Sequence, residues 1–409
     1  MRNVKEQSHT HHYVPRWYQK RFLTPGNTKF FFLDLHPETV VQDGVAHQRK
    51  SLLNWGPARC FYKDDLYTVK LGSWTTDEIE REFFGEVDRR GRAAVEHFAE
   101  FEEIAEPTLD ASRDLVPYMD AQKFRTPRGL DRLKKRAGNS DQNKTLVQMQ
   151  RNFEFSTMWM EGVWEIVRAR RSPTKFIVTD DPVTFYNRSA FPSEWVYPDD
   201  IGLKGIGSRT LFPLGLDSCL IITHLQLTRN LRSIPTEPRT NARSFQSAVK
   251  YLGDIEFGRE LEEDEVLRIN YILKKRATRY IAAAEKDWLY PENHVSTTEW
   301  AKLDDDWFLL PHLWKVPFTA EIVMGYEDGA VWAVDEYGRH PGNPGFKDKK
   351  QHEKEWVTKG LAKQEWARRR MGKSTARTDE RFGKDVGDRL MLRFLREEGL
   401  LPPSEEGPK

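Results

Sequence analysis

Residues 142–170, QNKTLVQMQRNFEFSTMWMEGVWEIVRAR, decide the fold class. Met149, Phe153, Met160, Val163 and Val167 are separated by four, seven, three and four positions. That spacing gathers apolar side chains on one face of a helix, so the stretch is expected to form one long helix. Upstream, Thr75 with Glu78 makes a capping-box pattern. Ile79, Phe83, Val87, Ala94, Val95 and Phe98 then mark an apolar face, which predicts a helix over 76–101. Another helix is expected near Pro117 through YMDAQKF, with Pro127 opening the next. Residues 261–286, with acids early and bases late as the helix dipole favours, are expected to be helical throughout.

Strands fill the gaps. KFFFLDL (29–35) and KFIVT (175–179) are short apolar runs, and FYKDDLYTVKL (61–71) reads as a short strand or loop. TLFPL (210–214) and SCLIITH (218–224) are expected to pair as a hairpin around Gly215 and Asp217. Beyond Pro291 the composition changes. WFLLPHLWKVPF is aromatic and proline-broken, EIVMGYEDGAVWAV reads as a hairpin turning at Asp328-Gly329, a charged helix is expected over 347–371, and LPPSEEGPK as a disordered tail. The expected class is α+β. A mostly helical N-terminal domain (1–295) would hold a small central sheet, and a small α+β extension (296–409) would follow.

The chain has 409 residues, 31% charged and 38% hydrophobic, with a formal net charge of +1. No global field draws it to nucleic acid or membrane, so any such attraction is local. Cys60 and Cys219 are its only cysteines, too few for a disulfide framework or a multi-cysteine zinc site. With no leader pattern and no run of about 18 apolar residues, a cytoplasmic protein is expected.

The chemistry-bearing residues begin at HTHHYVPRWYQKRF (9–22), where three of eleven histidines fall within four positions. Pro15 biases Val14 toward extended backbone and suits the first turn of a helix. In family order the chain then carries Phe124-Arg125-Thr126-Pro127, Thr179-Asp180-Asp181-Pro182-Val183, Phe212-Pro213-Leu214 and Asn270. Together with His12-Tyr13-Val14-Pro15-Arg16, Tyr18 and Phe22, these resemble a mainly bacterial family known only as domain of unknown function 4238, over roughly residues 9–290. Asp180 departs from that pattern, which has serine there. The resemblance singles out His12 but implies no activity.

Each motif admits a chemical and a plainer reading. His9 and His11 would share one strand face, as a metal-binding pair requires, with His12 turned away; alternatively His9 and His11 are solvated and His12 alone is held in the fold. Asp180 and Asp181 suit Mg²⁺ or Mn²⁺, or a general base, and equally suit a turn before Pro182. Arg16 and Arg125 suit a bound anion, or an internal carboxylate such as Asp181. The span 123–136 holds seven Lys/Arg against one Asp, and Arg368-Arg369-Arg370 is a second basic run; both suit nucleic-acid phosphates, or are simply solvated faces. His224 closes its strand as a cap or near Asp181. No Walker loop, dinucleotide fingerprint, nucleophile elbow or His-Glu-x-x-His motif is present.

The expected function is therefore a metal-assisted hydrolase or nuclease acting on phosphodiesters. His12 would be acid/base or metal ligand, Asp180 and Asp181 would bind metal, and Arg16 and Arg125 would steady developing charge. The alternative is a non-catalytic nucleic-acid- or protein-binding module. Convergence of His12 and Asp181 in one open cleft favours the first, and mutual burial favours the second.

Overall fold

The computed structural model describes residues 9–192, 208–223, 255–304 and 321–351. Within these it leaves aside 43–44, 72–73, 77–78, 104–106, 137, 139–142, 144, 147–154, 189–190, 336–338, 347 and 349. The chain divides into two compact units, one comprising 1–225 with 233–304 and the other 226–232 with 305–409.

The first unit opens with β1 (Thr10–His12) and α1 (Arg16–Lys20), followed by β2 (Phe30–Asp34), β3 (Thr39–Gln42), β4 (Val45–Gln48) and β5 (Leu52–Trp55). Next come β6 (Tyr62–Asp64), β7 (Val69–Leu71) and β8 (Trp74–Thr76). A π-helical turn over Ile79–Phe84 leads into α2 (Gly85–Ala99), α3 (Pro107–Arg125), α4 (Pro127–Arg136) and α5 (Ser156–Glu161). The remainder is β9 (Val163–Arg168), β10 (Val178–Thr179), β11 (Thr184–Asn187), β12 (Ser208–Pro213), β13 (Ser218–Thr223), β14 (Glu256–Glu260), α6 (Glu263–Arg276) and β15 (Tyr280–Ala283).

Two sheets organise this unit. One has the order β10-β15-β2-β5, antiparallel throughout; the other is β11-β12-β13-β9-β14, antiparallel except where β14 runs parallel to β9. Every residue of β12 and β13 is buried, so both faces of the larger sheet's centre are covered, which is why SCLIIT reads as a continuous apolar run. Phe98 of α2 meets Trp164 of β9 edge-on at 5.5 Å.

This architecture corrects the expected mostly helical N-terminal domain. The described part of that region is a mixed α+β structure, rich in strands. Residues 163–168 are not the end of a long helix but a strand between β13 and β14. The physical reason is that a separation of four, as between Val163 and Val167, returns to the same side at a period of 3.6 and at a period of 2. What breaks the tie is Gly162, the C-cap of α5, followed by a β-branched and aromatic run. Met149 and Phe153 lie outside the described residues.

Two further helices are shorter than the sequence suggests. Thr75 sits in β8 opposite Lys70, Glu78 lies outside the described residues, and regular α-helix begins only at Gly85. α6 does start with a capping box, Glu262 with Glu265, and closes on Lys274, Lys275 and Arg276, but it ends there. The chain then turns into β15, because Asp180 captures the backbone N–H groups of Thr278, Arg279 and Tyr280. The helix starting at Pro127 and the 208–223 hairpin form where expected.

The second unit shows the Asp328-Gly329 hairpin, β16 (Glu321–Gly325) paired with β17 (Val331–Asp335), with Gly329 at a positive φ of 81°. WFLLPHLWKVPF, most of the expected 347–371 helix, Arg368-Arg369-Arg370, His224 and the tail lie outside the described residues. Among the described residues no helix is long and apolar enough to cross a membrane.

Candidate functional site

The opening motif locks α1 onto the larger sheet. Tyr18 stacks on Phe212 at 5.6 Å and donates its hydroxyl to the Pro213 carbonyl at 2.5 Å. Arg21 Nε donates to the Leu214 carbonyl. The motif pairs Tyr-x-x-x-Phe and Phe-Pro-Leu are thus two sides of one contact, with Phe22 fully buried behind it.

α3 grips the same segment from the other side. Gln122 Nε2 donates to the Tyr13 carbonyl at 2.8 Å, and Arg125 Nη2 to the His12 carbonyl at 3.2 Å. Arg125 is 1% exposed; Nη1 and Nη2 hold the Asp88 carboxylate of α2 at 2.6 and 3.2 Å, and its guanidinium lies 4.6 Å over the Phe84 ring. Burial works against the charge, but Asp88, with Tyr67 and Tyr118, more than offsets it and keeps the Arg125 pKa above its ordinary value. Thr126 then caps α4, its Oγ1 accepting the Gly129 N–H at 3.0 Å, with Pro127 as the first helical residue.

The histidines divide differently from either sequence reading. His9 is exposed and pairs with Asp65 at 2.8 Å. His11 is the fully buried one; its ring stacks on Tyr67 at 5.4 Å and its Nδ1 accepts the Tyr67 N–H. His12 is half-buried, and Arg16 is exposed beside it. Burial lowers the His12 pKa below its ordinary 6.5; Arg16 and Arg125 add repulsion, while the backbone at Ala58 and Pro57 pulls the other way.

A folded pKa below the unfolded one means that the unfolded chain takes up the proton first. The stabilisation from neutral His12 is therefore full above about pH 6.5 and is lost as pH falls through that value toward the lower folded pKa. His12→Gln is expected to shrink the drop in Tm between about pH 7.5 and about pH 5.5, measured against wild type. An unchanged drop would remove His12 from the acid response.

Asp180 and Asp181 end β10 but serve as fasteners. Asp180 spends both carboxylate oxygens on the three N–H groups between α6 and β15, at 2.7 to 3.0 Å. Burial pushes its pKa up to about 6 against those bonds. Asp181, 2% exposed, takes Lys123 Nζ on both oxygens at 2.8 and 2.7 Å, and the same ammonium donates to the Val183 carbonyl. Its partner is thus a lysine of α3 and neither of the two arginines. Asn270 fixes the preceding segment, accepting Ile177 N–H and donating to the Lys175 carbonyl.

The donor set does not fit Mg²⁺ or Mn²⁺. Every Asp180 and Asp181 oxygen already faces an N–H or ammonium, and among the described residues no three His, Cys, Asp or Glu side chains gather as metal ligands.

Most of the basic run 123–136 turns inward. Lys123 and Arg125 are ion-paired, Arg132 is buried over Phe155, and Arg128 reaches the Arg276 carbonyl that ends α6. Lys134 and Lys135 stay exposed, and Lys135 pairs with Asp131. Beside them lies a cleft of about 590 Å³, walled by the end of β6 and the turn after it (Lys63 to Thr68), by α4 and by Asn143, Thr145 and Leu146.

Sequence reasoning missed Lys123 and Asp88, the partners that neutralise Asp181 and Arg125. Lys123 was hidden inside the basic run. The spacing of Tyr118, Gln122 and Arg125, four and then three residues apart, was a legible polar stripe on α3.

No curated protein matches the chain, and no solved structure does. The Asp181, Phe212-Pro213-Leu214 and Asn270 elements lie beyond residues 10–159, the stretch that matches a family model. Residues 10–159, the stretch carrying the His-Tyr-Val-Pro-Arg and Arg-Thr-Pro elements, match the model of the family described as Protein of unknown function (DUF4238).

Proposed function

We propose that the chain is a non-catalytic cytoplasmic binding module that takes a polypeptide segment of a protein partner in the cleft between the β6 turn and α4. The observation that carries this reading is the commitment of the motif acids: Asp181 is bound to Lys123 and Asp180 to backbone, so neither is free to serve His12. A cleft of about 590 Å³ has the size of a ligand pocket. Its wall carries Asp64, Asp65 and Asp131 beside Lys63 and Lys134, charges of both signs that suit a polypeptide better than a run of phosphates. Two buried free thiols, Cys60 and Cys219, suit a reducing compartment.

Selection of random peptides on the immobilised chain tests this. Enriched peptides are expected to bind the exposed-charge variant Lys63→Glu/Lys134→Glu at least about tenfold more weakly, the loss of about 1.4 kcal/mol. Peptides indifferent to the variant would sink the cleft. Labelled single-stranded DNA or RNA that binds with a steep salt dependence, lost in the same variant, would replace the reading with nucleic-acid binding. Phosphodiester cleavage abolished by His12→Ala would restore the hydrolase.

A further inference from the structure

Buried polar atoms in natural proteins nearly always have partners, so a cluster without them calls for an explanation. Tyr118, Gln122 and Arg125 occupy one stripe of α3 and are 1%, 0% and 1% exposed. Tyr118 Oη, Gln122 Oε1 and Arg125 Nε are all shielded from solvent and have no hydrogen-bond partner among the described residues. So is Trp17 Nε1, whose ring meets Tyr118 at 5.5 Å across the α1–α3 contact. α2 closes the third side so tightly that a Cβ on Gly91 would lie 2.3 Å from the Tyr118 ring.

The other polar atoms of these residues are in use. Arg125 spends its terminal nitrogens on Asp88 and the His12 carbonyl, and Gln122 its amide nitrogen on the Tyr13 carbonyl. What remains is two N–H donors, one hydroxyl and one carbonyl acceptor, gathered where the opening motif meets α3. The rim is the exposed Arg16 with half-buried His12 and Trp17. Arg16 and Arg125 both repel a proton on His12, while the Asp88 carboxylate paired with Arg125 adds negative charge near Tyr118.

We propose that this seam is a binding site for a small oxyanion that still carries a hydroxyl, of which hydrogenphosphate is the simplest. Trp17 Nε1–H, Arg125 Nε–H and the Tyr118 hydroxyl donate to its oxygens, and its own O–H donates to Gln122 Oε1. The donor complement follows from the inventory of each side chain, and a guanidinium N–H bond to an anion is among the stronger ones. The Gln122 acceptor is what separates phosphate from sulfate, which carries no proton near neutral pH. This site is independent of the cleft and stands or falls apart from it.

The test is calorimetric titration and thermal melting of the full chain with inorganic phosphate, sulfate and glycerol phosphate. Saturable binding of phosphate, with a rise in Tm that sulfate does not give, is the expected result. Trp17→Phe and Tyr118→Phe each remove one donor and keep the ring, and each is expected to weaken phosphate binding by about tenfold or more. Tyr118→Phe also deletes an unpaired buried hydroxyl, so its phosphate-free Tm is expected to hold or rise, which separates lost binding from lost folding. A stronger response to glycerol phosphate would assign the site to a phosphomonoester end. No saturable phosphate response overturns the proposal. So does a response that sulfate reproduces, or one that both variants leave unchanged.

Discussion

Lys123→Met is expected to lower the stability of the chain by about 3–5 kcal/mol, the cost of stranding one charge of a buried pair. Asp181 would be left 2% exposed with both oxygens stripped of the ammonium that now faces them. Among the described residues nothing else donates to them: the neighbouring backbone bond runs from Asp181 N–H to Thr179, and Lys123 itself bridges to Val183 and rests 4.3 Å over Phe185. The pair therefore ties α3 to the β10–β11 turn at one point. Lys123→Met/Asp181→Leu, which removes both charges and keeps apolar bulk, is expected to recover most of the loss, because two desolvated charges bring little net stability over a hydrophobic pair. Urea unfolding of wild type, single and double variants measures both numbers. A single variant within about 1 kcal/mol of wild type would mean that water reaches Asp181 and would reopen its candidacy as a working acid.

That lysine also shows where sequence reasoning stops. The strand at Phe30–Asp34, the 208–223 hairpin, the Pro127 helix start and the Asp328-Gly329 turn are local events, written in neighbouring residues, and they form as read. The fold class was misread because residues 163–168 become a strand only through partners that lie elsewhere in the chain, β13 and β14. The partners of the candidate site residues were hidden for the same reason. Lys123 and Asp181 are 58 residues apart, and Arg125 and Asp88 are 37 apart. In the sequence, Lys123 and Arg125 belong to a basic stripe that looks solvated. In the fold they point inward, and of the Lys and Arg side chains of that stretch whose exposure is described only Lys134 and Lys135 are exposed. Charge counted along the chain says nothing about which charges are neutralised across it.

The second large effect falls on Gly129, two residues beyond Pro127 in the Arg-Thr-Pro turn. Helix propensity alone predicts that Gly129→Ala, inside α4, stabilises by about 1 kcal/mol. Packing predicts the opposite. A Cβ there would lie 2.2 Å from the Lys123 carbonyl oxygen, 2.7 Å from that of Phe124 and 2.8 Å from Phe124 Cα. All three are backbone atoms at the end of α3, and no side-chain rotation relieves them. α4 must then swing away, straining the Thr126 cap on Gly129 N–H and shifting both Lys123 and the Arg125 carbonyl that accepts the Tyr67 hydroxyl. Overpacking against side chains typically costs about 1–3 kcal/mol, and a backbone clash belongs at or above the top of that range, so Gly129→Ala is expected to lose about 3 kcal/mol in urea unfolding. Because the same movement loosens Lys123 from Asp181, its effect is expected to be less than additive with Lys123→Met, as for residues sharing one network. Stabilisation by the alanine would show that propensity wins and that the α3–α4 turn is wider than these distances allow. Full additivity would show that the turn and the buried pair are separate devices.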